Sequence, residues 1–133
     1  MAFQEGQIYK HTFTITQEVY DSFQTCSQDR NPLHTNKTFA LSKGFPEIVM
    51  YGNILNAFIS YFIGECLETQ NVMIQSQSIN FRNPVFLNDI LNFVSEINGV
   101  HESVNTVEFK YTFANRQNGI VVANGKISIS VIP

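Results

Sequence analysis

Charge is scarce in this chain, and tryptophan is missing from it. Charged residues make up only 14% of the 133 positions and sum to −3. No basic run or stripe gathers the few lysines and arginines, so nucleic acid is not an expected partner. The segment Met1 to Thr14 carries Glu5, Lys10 and His11 and has no apolar centre, which excludes a signal peptide there. The greasiest stretch, Ile54 to Ile63, is interrupted by Asn56 and Ser60 and is far too short to span a bilayer. No membrane association is expected. Cysteine is limited to Cys26 and Cys66, whose positions show neither a metal-ligand nor a redox spacing. They read as free buried thiols in a reducing compartment, which places the protein in the cytoplasm. Neither a metal nor another cofactor is expected.

The residues that are present describe a globular domain. Apolar residues make up 44% of the chain, and 12 phenylalanines point to a Phe-rich core. A chain of this length fits one domain, residues 1–133, and buries roughly two-thirds of its unfolded surface. With so little charge to keep surfaces apart, part of the apolar area is expected to be hidden in an oligomer.

Periodicity supplies the elements. Ile8 to Phe13 alternates as a first strand. Thr16 follows as a helix N-cap, with Ile15 and Tyr20 placed to form a hydrophobic staple, and the helix runs to about Ser27. Pro32 forces Asn31 out of helical geometry, so Asp29 to His34 is expected to be a loop of fixed shape. Asn36 caps a short helix, Lys37 to Lys43, stopped by Gly44. From Gly52 to Cys66 the helical spacing is apolar on nearly all sides, and such a helix must be wrapped. Alternating strands supply the wrapping: Met73 to Phe81, Asp89 to Ile97, the run around Val107 to Phe113, and Ile120 to Ile132. Asn98-Gly99 and Asn118-Gly119 read as turns, and Asn124-Gly125 as a bulge. This order implies an α+β hot-dog fold, an antiparallel sheet wrapped around a long central helix.

One constellation carries chemistry. In Asp29-Arg30-Asn31-Pro32-Leu33-His34, a carboxylate and an imidazole bracket a proline-stiffened loop and can converge on one small volume. Adding water to a double bond conjugated with a thioester needs a base for the water and an acid for the α-carbon. It also needs donors for the enolate-like oxygen. A structural reading competes with this one, in which Asp29 turns the loop and His34 is a satisfied surface histidine.

The stretch from Asp29 to His34, followed by Ala40, Gly44-Phe45 and Ile48-Val49-Met50-Tyr51-Gly52, resembles the MaoC-like dehydratases, in particular the (R)-specific enoyl-CoA hydratases. That family reads D-x-N-P-x-H, a small helix with an alanine, a G-F-like step, then I-V-H-G. The resemblance continues in Phe81-Arg82-Asn83-Pro84-Val85-Phe86 and Asp89, against the family's F-x-x-P-V-x-x-G-D. It implies that Asp29 and His34 bind the catalytic water and that the Gly52 N–H forms the oxyanion hole. Asn31 would steady the loop, and Tyr51 and Ser60 would support or contact the substrate. It further implies a role in fatty acid metabolism on an acyl-CoA or acyl-carrier-protein thioester, and a homodimer or higher homo-oligomer with a continuous sheet. Two positions depart from the pattern. Tyr51 replaces the family's histidine, and Asn88 stands where glycine is usual, a position asparagine fills because it tolerates left-handed geometry. The basic residues available to meet CoA phosphates are Arg30, Lys37, Lys43 and Arg82.

Two alternatives belong to other classes. A hot-dog thioesterase would place a carboxylate on the central helix, which here offers only Asn53 and Asn56 until Glu65. A non-catalytic acyl-binding module is suggested by Tyr51 and opposed by the presence of both Asp29 and His34.

Overall fold

The computed structural model describes residues 2–133. The first strand, β1 (Ile8–Thr14), leads into helix α1 (Gln17–Ser27). Thr16 caps α1 as its sequence position suggests, its hydroxyl accepting from the Val19 N–H at 3.1 Å. The helix ends at Gln28 in left-handed geometry, φ 56°.

The following loop is more ordered than a proline-stiffened turn. Asn31 caps a single helical turn, α2 (Pro32–Thr35), its Oδ1 accepting from the Leu33 N–H at 2.9 Å. Proline at the first helical position loses no hydrogen bond there, so Pro32 starts α2 as well as stiffening the loop. Asn36 then caps α3 (Lys37–Ser42), and Gly44 stops it with φ +91°.

The central helix α4 (Ile54–Glu65) buries Ile54, Leu55, Phe58, Ile59, Phe62 and Ile63. It is not covered on all sides: Asn53, Ala57, Ser60, Tyr61 and Gly64 lie along an open face. The all-round apolar reading overlooked that this stripe carries no large aliphatic side chain. The buried face meets the sheet through aromatic contacts. Phe58 stacks on Phe13 with ring centroids 4.5 Å apart, and Phe62 packs against Phe93 at 4.8 Å.

Four further strands complete the sheet: β2 (Val72–Phe81), β3 (Ile90–His101), β4 (Thr106–Asn115) and β5 (Val121–Val131). Their order is β1-β3-β4-β5-β2, antiparallel throughout, with β1 and β2 at the edges. Val107, Phe109, Tyr111 and Phe113 of β4 face the helix, as their alternation indicates. The hot-dog architecture expected from the pattern is the one observed.

Two Asn-Gly pairs behave differently from expectation. Asn98-Gly99 is not a turn; β3 runs through it to His101, and the register shifts between Ile97 and Gly99 as at a bulge. The chain reverses later, at a short 3-10 turn (Glu102–Val104) followed by Asn105 at φ 52°. Asn124-Gly125 is not a bulge, because both residues pair in regular register with β2 and β4. Glycine is needed at 125 for room: a Cβ would lie 2.0 Å from the Ser78 carbonyl oxygen and 2.6 Å from the Tyr111 hydroxyl. Tyr111 reaches across the gap to donate to that carbonyl at 2.8 Å. The cysteines also depart from expectation. Both are free, but Cys26 is exposed and Cys66 only partly buried.

Candidate active site

The segment between α3 and α4 is the foundation of the site. The Met50 N–H donates to the Val85 carbonyl at 2.9 Å and the Val49 N–H to the Leu33 carbonyl at 3.1 Å. These bonds bring the two motif regions, 29–34 and 81–89, to the N-terminal end of α4. Asp89 closes the second region by accepting from the Phe86 N–H at 2.9 Å, and Asn88 takes the left-handed turn position with φ 69°.

A cavity of about 420 Å³ lies at this junction. His34, Met50, Gly52, Asn53, Phe81 and Arg82 line it, together with Phe45, Val49, Leu55, Asn83, Pro84 and Val85. His34 is half-buried, and its Nδ1 lies 2.7 Å from the Val49 carbonyl oxygen. A carbonyl can only accept, so Nδ1 carries the proton. Neutral His34 therefore keeps its lone pair on Nε2.

Gly52 sits in the turn that enters α4, where the Ile54 and Leu55 N–H groups bond back to Tyr51 and Gly52 at 3.1 and 3.0 Å. Its own N–H is one of the orphan donors of a helix start and makes no backbone hydrogen bond among the described residues. A Cβ at this position would come within 2.9 Å of the Phe81 ring, so glycine permits the close contact and leaves the amide uncovered.

Asp29 is exposed and is absent from the cavity lining. Its Oδ1 accepts from the Asn31 N–H at 2.9 Å, and its backbone carbonyl accepts from the Tyr51 hydroxyl. Tyr51 does not line the cavity either. It is buried against His34, its ring tilted on the imidazole with centroids 4.5 Å apart, and it packs on Tyr20 and Phe23. Ser60 is on the open face of α4, two turns beyond Gly52, and does not join His34 and Gly52. The single chain thus unites His34 and Gly52, holds Asp29 at the head of their loop with Asn31 capping the turn, and leaves Ser60 apart.

Among the candidate phosphate contacts, only Arg82 lines the cavity, its Nε donating to Asn124 Oδ1 at 3.3 Å. Lys37 pairs with Glu47 at 3.2 Å, and the Lys43 ammonium lies over the Phe39 ring. Sequence reasoning named Phe45, Met50 and Asn83 only within the motif stretches and not as cavity walls, gave Tyr20 only a staple role, and missed Gln24 behind the loop. Phe81 was visible only as a motif letter. A larger open groove, about 640 Å³, runs over the sheet face turned away from α4. Its charged lining includes Glu96 and Lys110, which pair with each other at 3.0 Å, and it holds no imidazole.

The MaoC like domain profile matches residues 2–117, most of the chain. This chain belongs to that family. An (R)-specific enoyl-CoA hydratase of Rhodospirillum rubrum is 28% identical over 127 residues, covering 96% of this chain and 87% of that protein. The enzyme of the same name from Aeromonas caviae is 30% identical over 81 residues, which span 61% of this chain and 60% of that one. The solved structure of an (R)-hydratase from A. caviae superposes with a TM-score of 0.89 at 23% identity, covering 99% and 98% of the two chains. In this MaoC-like chain, His34, Phe45, Gly52, Phe81 and Pro84 of the motif regions line the cavity, and Asp29 and Asn31 lie outside its lining.

Proposed function

We propose that this chain reversibly adds water to a trans-2-enoyl thioester, giving an (R)-3-hydroxyacyl thioester, with Asp29 and His34 as the catalytic pair. The observation that carries the reading is the 2.7 Å contact of His34 Nδ1 with the Val49 carbonyl, in a cavity shared with the Gly52 turn. A water that donates one O–H to Nε2 and the other toward the Asp29 carboxylate presents its oxygen lone pair to C3. Asp29 Oδ2 makes no protein hydrogen bond among the described residues and serves as that second acceptor. As the C3–O bond forms, one of the pair takes the water proton and a proton is delivered to C2, so that H and OH add across the double bond. The thioester oxygen gains charge in this step and accepts from the Gly52 N–H at the positive end of α4.

The apolar walls at Phe45, Met50, Leu55 and Phe81 suit an acyl chain. Arg82 is the group placed to meet a phosphate of the CoA or acyl-carrier handle. The working unit is a homodimer in the cytoplasm. Two unpartnered features support this: the open face of α4, and the edge of β2, where Met73 and Phe81 are exposed. The dimer would cover Ser60 and close the substrate path. Among the described residues, no helix is long and apolar enough to cross a membrane.

Hydrolysis of the thioester is less well supported, because α4 carries no carboxylate before Glu65, which is exposed at its far end. The test follows enoyl absorbance and free thiol together on a short trans-2-enoyl-CoA, with chiral analysis of the product. Loss of absorbance without thiol, giving the (R) product, is expected. Thiol release at the same rate would replace the hydratase with a thioesterase.

A further inference from the structure

Asp29 has little that ties it to the body of the protein. Its N–H donates to Ser27 Oγ at 3.2 Å and its Oδ1 accepts from the Asn31 N–H, both partners lying two residues away. The single long-range bond to Asp29 among the described residues comes from the Tyr51 hydroxyl, 22 positions on. At the other end of the loop, the Tyr20 hydroxyl donates to the His34 carbonyl at 2.6 Å. Gln24 joins the two phenols, its Nε2 lying 3.1 Å from the Tyr51 oxygen and 3.4 Å from the Tyr20 oxygen. Tyr51 also supports the His34 ring from behind, so one side chain touches both members of the pair.

We propose that Tyr51, with Tyr20 and Gln24, is a clamp that fixes Asp29 relative to His34, and that Tyr51 is a positioning residue for turnover and not a substrate contact. The proposal rests on the assignment of Asp29 and His34 made above.

The chemistry of the clamp is consistent with that role. A phenol that accepts from an amide while donating to a carbonyl sits in a polarised chain, which strengthens both bonds. Burial, and then the neighbouring Tyr51, push the Tyr20 phenol above its ordinary range and keep it a donor. The clamp acts on backbone carbonyls and leaves the Asp29 carboxylate and His34 Nε2 for water. It also gives position 51 a reason to be large and aromatic: the ring fills the space between α1 and His34 and carries its hydroxyl to the start of the loop. Misplacing one acceptor of a shared water by a fraction of its bond length lowers turnover without changing how the acyl chain is held.

The test uses the full chain with Tyr51→Phe, which keeps the ring stack and removes one oxygen. Steady-state hydration of a short trans-2-enoyl-CoA is expected to show kcat lowered roughly tenfold, about one hydrogen bond's worth, with KM within about twofold. Combined with Asp29→Asn, the substitution is expected to cost nothing further, because its effect passes through Asp29. Unchanged kcat, an effect confined to KM, or fully additive losses would overturn the clamp. A second readout needs no substrate. Backbone 15N order parameters at Asp29 and Arg30, near ~0.85 in the wild type, are expected to fall in Tyr51→Phe. Should the wild type hydrate nothing, the functional assignment fails and this measurement still decides the clamp, with unchanged order parameters ruling it out.

Discussion

The chemistry of the site turns on where single atoms point. His34 has its Nδ1 proton committed to the Val49 carbonyl, so Nε2 is the one exchangeable position offered to the cavity. Gly52 contributes by having no side chain. Gly52→Ala is expected to lower kcat/KM on the order of 10²-fold, because the Phe81 ring and the turn must shift together and carry the amide off its aim. Near-wild-type kinetics in a folded Gly52→Ala protein would remove that N–H from the mechanism. At this scale the sequence was partly legible. The spacing of Asp29, Pro32 and His34 announced a shaped loop, and the order of motif residues placed Gly52 at the helix start. The direction of Tyr51 was not legible. A residue between Met50 and Gly52 can face either the cavity or α1, and packing against Tyr20, Phe23 and His34 decided it.

At the level of elements, local rules succeeded where a side chain answers its own backbone. They failed where tertiary contact decides. The caps at Thr16 and Asn36 and the stop at Gly44 are local and were read correctly. Of the three Asn-Gly pairs, Asn118-Gly119 does sit in the turn between β4 and β5, but the other two were misread, because the dipeptide signals a turn only if the chain is free to reverse there. At Gly99 the pairing of β3 with β4 carries the strand onward through a bulge, and at Gly125 the need for space beneath Ser78 and Tyr111 sets the residue. Gly125→Ala is therefore expected to destabilise by about 3 kcal/mol, since backbone and not a flexible side chain must yield. An unchanged urea midpoint would contradict the close approach. Ile59 has no exposed surface in α4. Ile59→Glu is expected to cost about 3–5 kcal/mol as an unpaired buried charge, read from the same denaturation curve. Wild-type stability of that variant would mean that α4 is not the wrapped helix.

The molecule as a whole is a curled sheet with two edges and one helix open along a stripe. Sparse charge hinted at an oligomer but not at which surface forms it. The open face of α4 and the β2 edge are the surfaces proposed for it, and light scattering is expected to report about twice the 15.1 kDa chain mass. A monomer at micromolar concentration would leave the α4 stripe without its partner. Global stability should also fall at alkaline pH. Burial pushes the Tyr111 phenol from 10.0 up to about 12, so the folded state holds that proton more tightly than the unfolded chain. The contribution is complete below about pH 10 and is lost as pH rises through about 12. Urea midpoints measured across that window are expected to decline, and the decline is expected to be shallower in Tyr111→Phe. The same curled sheet brings the 29–34 loop and the 81–89 turn to one end of α4, and on that convergence the catalytic assignment depends. The most direct test measures hydration of a short trans-2-enoyl-CoA by wild type, Asp29→Asn and His34→Ala, each checked for folding. The account predicts an active wild type and losses of about 10²–10⁴-fold in both variants. Comparable turnover by either folded variant would contradict the assignment of that residue.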